Sequence, residues 1–136
     1  MQYQGSEAYR QTRQKTAAPR ELEAALLLAA AAHLQVVANS LTEERQLRYC
    51  PTFRRAVTFN AKIWTILVTS AMRPDNALPQ PMRQSIAELG LFVIGRTAHL
   101  FHELSANAAG EAVPVLIEIN RLVASGLRDC PSPLVN

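Results

Sequence analysis

Two histidines three residues apart, His99 and His102, with Glu103 beside them, are this chain's nearest approach to a metal-binding pattern. On a helix that spacing would put both imidazoles on one face. Metal sites in helical bundles also draw carboxylate or histidine ligands from neighbouring helices. The third histidine, His33, lies in an apolar stripe, so the pair reads as ordinary helix-surface histidines and no metal is expected. Cys50 has Arg48, Arg54 and Arg55 as neighbours, whose charge would favour a thiolate. No histidine stands near it to act as base, and Cys130 is far away in sequence with no CxxC spacing, so two reduced thiols are expected. There is no phosphate loop, dinucleotide fingerprint or nucleophile elbow. These residues point to a protein that is not an enzyme and carries no cofactor.

Two amides stand out instead. Asn60 and Asn120 each fall in the middle of an otherwise apolar helical face. A buried amide left unpaired costs about 1–3 kcal/mol, so both should find partners. The favoured reading is a buried network that fixes helix register; the other places one of them at the rim of a partner groove. Trp64, the only tryptophan, sits one turn after Asn60 and reads as a core anchor.

The elements that must position these residues are helical. The chain has 136 residues, 49% of them hydrophobic and only 5 of them glycine, and Ala and Leu outnumber β-branched and aromatic residues. An all-α, single-domain bundle of about four helices with a mobile basic N-terminal arm is expected. Residues 1–18 form the arm or a short helix, 19–130 the bundle and 131–136 a tail. Pro19 suits the first position of the first helix, with Glu21 and Glu23 near the positive end of its dipole. That helix carries two apolar stripes, Leu22, Leu26, Ala29, His33, Val36 and Leu27, Ala31, Leu34, Val37, Leu41. A surface helix needs only one. In the second helix Phe53, Val57, Asn60, Trp64, Leu67 and Ala71 recur at steps of four and three, a core seam.

The stretch "RPDNALPQPMRQSI" then reads as a stop, a rigid turn and a start. Pro74 ends the second helix near Arg73, Asp75 and Asn76 can bond nearby backbone, and Pro79 and Pro81 fit a first helical turn. Met82, Ile86, Leu89, Val93, Thr97, Leu100 and Leu104 make the third seam, and Leu91, Phe92, Ile94 and Phe101 lie off it. "SANAAGEA" reads as a looser stretch before the fourth helix. That helix's face is Val113, Leu116, Ile117, Val123, Ala124 and Leu127, with Pro114 in its first turn or at a kink. The surplus apolar positions Leu27, Leu34, Val37, Leu91, Ile94 and Phe101 are the candidate partner-binding residues.

The apolar run Ala24 to Ala32 is too short to span a bilayer and the N-terminus lacks a secretory core, so a cytoplasmic protein without membrane insertion is expected. The net charge is +3, with Arg10, Arg13, Lys15 and Arg20 clustered near the N-terminus. Nucleic-acid binders usually carry a denser basic face, which makes RNA the weaker partner reading.

The blocks "AYRQT", "PRELEAALL", "FNAKIWTILV", "NALPQPMRQSIAELGLFV" and "LIEINRLVASGLR" occur in an order that resembles the FlaF family, flagellar biosynthesis regulators of alphaproteobacteria. Pro19 opens the second block. Asn60 and Trp64 match the family's Asn-x-x-x-Trp pattern, and Asn76, Leu78, Pro79 and Arg83 its Asn-x-Leu-Pro-x-x-x-Arg pattern. Asn120, Arg121 and Gly126-Leu127 match the C-terminal block. The basic stretch from Arg45 to Arg55, Pro81 and Pro114 depart from it. The resemblance implies a role in flagellin synthesis and secretion, opposite the translational repressor FlbT and similar to that of dedicated flagellin export chaperones. The expected ligand is a terminal helical segment of flagellin. The alternatives are an RNA-associated translational regulator, or a helical adaptor whose apolar faces serve self-association or FlbT.

Overall fold

Helices α1 (Gln2–Ser40), α2 (Pro51–Ala71), α3 (Gln80–Glu103) and α4 (Ala106–Asp129) make up the molecule. The computed structural model describes the backbone of residues 2–40, 50–103 and 106–130, and the side chains of 20–40, 50–102 and 109–130. Among these residues there is no strand, and the all-α bundle expected from composition is what forms. Each helix packs on the next, and α1 also packs along α4, which closes the ring. The Arg20 guanidinium reaches the carbonyls of Cys130 and Ala77, while the His33 ring lies against Phe59. Those contacts set the helices up-down-up-down.

The core follows the periodicity. All six α2 seam residues are buried, as are Ile86, Val93, Thr97 and Leu100 of α3 and the whole predicted face of α4. Thr97 is the one buried hydroxyl in these seams, and it donates back to the Val93 carbonyl at 2.8 Å. Of the two α1 stripes, the bundle takes the second: Leu27, Ala31, Leu34 and Val37 are buried together with Ala24 and Ala30. Ala24, Ala30 and Ala31 stand among the Leu residues of this inward face, and such small side chains allow close helix packing.

Several boundaries differ from the sequence reading. Pro19 lies inside α1 instead of opening it, because the helix begins at Gln2. Residues 106–112 are helical instead of loose, and Pro114 is interior to α4. Ala109 and Ala112 are buried on the same face as Val113 and Leu116, so burial carries the helix across a proline that omits one backbone hydrogen bond. The expected loop before Cys50, Leu41, Leu104 and the tail from 131 lie outside the described residues.

The turn between α2 and α3 is the rigid corner that its prolines predict. The Pro79 carbonyl accepts from the amides of Met82 and Arg83, each at 3.0 Å, which places Pro79 at the helix cap and Pro81 in the first turn. The Asn76 side chain accepts from the Leu78 amide at 2.9 Å and donates to the Ser70 carbonyl at 2.9 Å. Arg83 closes the corner from α3, donating from Nε to the Ala71 carbonyl at 2.8 Å and from Nη2 to the Arg73 carbonyl at 3.0 Å. A cation at those last carbonyls also suits the negative end of the α2 dipole. Asp75, expected to bond backbone, instead pairs with the exposed Arg73 at 3.2 Å.

Candidate partner-binding surfaces

The polar residues singled out in the sequence converge in the interior. Asn120 accepts from Trp64 Nε1 at 2.8 Å, and its Nδ2 donates to Asn60 Oδ1 at 2.6 Å and to the Leu27 carbonyl at 3.2 Å. Trp64, Asn60 and Asn120 are all fully buried. One amide thus ties α1, α2 and α4 at a single level, and the register reading of the two asparagines holds. Among the described residues only Asn60 Nδ2 is a buried side-chain polar atom without a partner.

Arg20 does the same at one end of the bundle. It is buried, bonding the Cys130 carbonyl at 3.1 Å and the Ala77 carbonyl at 3.3 Å, so that α1, the corner and the end of α4 meet at one guanidinium. Sequence reading counted it among the arm's cations and missed this role. The available signal was its register: Arg20, Ala24, Leu27, Ala31 and Leu34 follow one another at steps of four, three, four and three. Burial pushes the Glu23 carboxyl above its ordinary range, and Arg20 partly opposes that shift.

The candidate partner residues divide. Leu27, Leu34 and Val37 are core residues and present no surface; the helix-contact stripe chosen by the bundle is theirs. The outward α1 stripe is the other one, where Leu22 is 60% and Val36 57% exposed, with Leu26 half-buried and His33 exposed. On α3, Leu91 at 70% and Ile94 at 37% are exposed as expected, with Phe92 beside them. Phe101 is half-buried, with the Arg54 guanidinium 5.7 Å from its ring centroid. Arg121 is exposed, and the side chains of Arg10, Arg13 and Lys15 lie outside the described residues.

Between α1 and α2 the outward stripe opens into a cleft. A cavity of about 370 Å³ is lined by His33, Val36, Thr52, Arg55, Ala56 and Phe59. A shallower one of about 270 Å³ continues over Arg54, Arg55, Thr58, Phe59 and Lys62. The floor is apolar and aromatic, with His33 and Phe59 rings 5.3 Å apart. Cys50, the residue before α2, contributes no side-chain capping bond and, like Cys130, is a free, half-buried thiol. His99 and His102 are exposed, and no group of His, Cys, Asp or Glu among the described residues could hold a metal ion.

Arg20–Ser40 is long and apolar enough to cross a membrane by length and composition, contrary to the reading of its apolar run as too short. The extra apolarity is the outward stripe, added to a face already committed to α2 and α4. A bundle's core helix meets the same criterion.

Fold and surface therefore define a small helical bundle whose buried polar groups hold its own helices together and whose surface carries apolar side chains. The chain belongs to the flagellar protein FlaF family, whose family model matches residues 5–127. No curated protein and no solved structure matches it.

Proposed function

We propose that this flagellar protein binds flagellin in the cytoplasm as an export chaperone, promoting flagellin synthesis and secretion and acting opposite FlbT. The observation that carries the reading is the pair of outward apolar stripes, Leu22 to Val36 on α1 and Leu91 to Ile94 on α3, on a bundle braced by buried hydrogen bonds. An amphipathic helix docks by laying its apolar face on such a surface, and a preorganised receptor loses little entropy in accepting it. Flagellin's terminal helical segments have that character, and family membership places the chain in flagellar biology. Co-expression with the cognate flagellin followed by size-exclusion chromatography tests this: a co-migrating complex is expected, and its absence sinks the reading. The same stripes would also serve self-association or FlbT binding. Light scattering of the isolated protein at rising concentration distinguishes a self-paired surface from a free one.

A further inference from the structure

We propose that the cleft between α1 and α2 is the docking site, and that its occupant is an amphipathic helix of a partner protein with carboxylates flanking its apolar stripe. The proposal rests on the reading of this chain as a binder of helical segments and adds which face is used and what charge the ligand carries.

The apolar track is longer than the cavity that marks it. His33 and Phe59 are in contact, and α1 and α2 run antiparallel. Seven residues, two helical turns, from each of these in the same direction bring Leu26 and Ile66 alongside. Leu22 lies one turn further, and Val36 borders the cavity at the other end. Val36 to Leu22 spans about 21 Å at 1.5 Å per residue, room for four turns of a docked helix. Ile66 is exposed, as Val36 and Leu22 are, while Leu26 and Phe59 are half-buried, so among the described residues the track stands open at three of its positions.

Charge decides the occupant. The whole of α2 lacks an acidic residue, and so does α1 from Ala24 to Ser40. Arg55 and Lys62 stand seven residues apart along the outer edge of the cleft, both exposed. Carboxylates seven apart on one edge of a docked helix would meet both, while its apolar anchors enter the track. Among the described residues, carboxylates enter the α1/α2 track only at its Leu22 end, where Glu21 pairs with Arg128. On α3, by contrast, exposed Glu88 and Arg96 flank Leu91 and Phe92 directly, and Arg96 lies 5.6 Å from the Phe92 ring centroid.

Two synthetic helical peptides with the same leucine stripe, one flanked by glutamates and one by lysines, are titrated against the full chain by fluorescence anisotropy, alongside the cognate flagellin. The glutamate peptide should bind roughly tenfold or more tighter at low salt, a gap that narrows as salt screens it. Arg55→Glu with Lys62→Glu should reverse the preference. Val36→Glu and Ile66→Glu should abolish binding of both peptides, and Leu91→Glu on α3 should leave it unchanged; circular dichroism confirms that each variant folds. Equal affinity for the two peptides, no peptide binding, or loss only in Leu91→Glu overturns the proposal. So does a dimer that Val36→Glu dissolves, or binding to anionic phospholipid vesicles without binding to peptide. Peptide bound in the cleft with flagellin ignored leaves the docking site standing and removes flagellin as its ligand. Flagellin binding indifferent to every cleft variant does the reverse.

Discussion

Asn120 satisfies three neighbours at once, whereas the Asn60 Nδ2 amino group keeps both of its N–H donors unpaired. The two asparagines should therefore respond differently to the same change. Asn120→Leu strips partners from Trp64 Nε1 and Asn60 Oδ1, at about 1–3 kcal/mol for each group left unpaired. Asn60→Leu takes the acceptor from one Asn120 N–H but also removes the unpartnered Asn60 Nδ2, and the two effects offset, so the net loss should be about 1 kcal/mol or less. Urea denaturation of both variants checks this; equal losses would contradict the assigned network. The sequence showed that both amides sat on apolar faces, but not that they faced each other, since that depends on how α2 and α4 are brought to one level. Glu23 makes a second residue-scale case. Burial raises its carboxyl's pKa, so protonation favours the folded state. Its contribution is complete below the ordinary carboxylate range and is lost as pH rises through the raised folded value. Near neutral pH the ionised, half-buried carboxylate opposes folding, and Glu23→Gln should raise the melting temperature there. The gain should shrink at about pH 4, where the wild-type carboxyl takes up its proton. A gain that grows on acidification would contradict the burial account.

At the scale of elements, the α2/α3 contact is set by a glycine. A Cβ on Gly90 would collide with Val68 Cγ2 and stand 3.5 Å from Trp64 Cε3. Valine in a helix has essentially one χ1 rotamer and cannot swing aside, so Gly90→Ala must push the two helices apart. Overpacking of that kind costs about 1–3 kcal/mol, more than the roughly 1 kcal/mol that alanine returns in helix propensity. Gly126→Ala is the contrast: its new methyl would meet the end of the flexible Met82 side chain, Cε at 2.8 Å and Sδ at 3.9 Å, which can move. Thermal melts should show Gly90→Ala destabilised and Gly126→Ala neutral or stabilised, and the opposite order would refute the packing. Helix identity was legible from steps of three and four, and the corner from its prolines and Asn76, because those signals are local. The start of α4 was not, because Gly110 and Pro114 speak against helix locally and the burial of Ala109 and Ala112 overrides them. The choice between the two α1 stripes escaped the sequence for a related reason. Both are apolar and each carries one alanine, so which of them turns inward depends on where α2 and α4 pack.

For the molecule as a whole, the surface most suited to a partner was recognisable as surplus apolarity, yet half of the residues first assigned to it lie in the core. Surplus is a property of composition, while the side it occupies is decided by what the other three helices leave uncovered. Three elements are gathered at one end by Arg20, and that makes it the test of how the bundle holds together. Its guanidinium bonds the Cys130 and Ala77 carbonyls, and these contacts join α1 at Arg20 to the end of α4 and to the corner. Hydrogen bonds to a charged group contribute about 1.5–3 kcal/mol, so Arg20→Met should cost at least that, even though methionine fills much of the volume. Arg20→Lys should recover only part, because a single ammonium does not reproduce the fork that spans two carbonyls. Loss of the cation also removes a charge that holds the Glu23 carboxyl down, so Glu23→Gln should stabilise Arg20→Met more than it stabilises the wild type. Hydrogen exchange should locate the damage: amides at the end of α4 and in the corner open first, while those around Trp64 and Asn120 keep their protection. Uniform loss of protection along all four helices would instead mean that Arg20 supports the core as a whole and not one end of it.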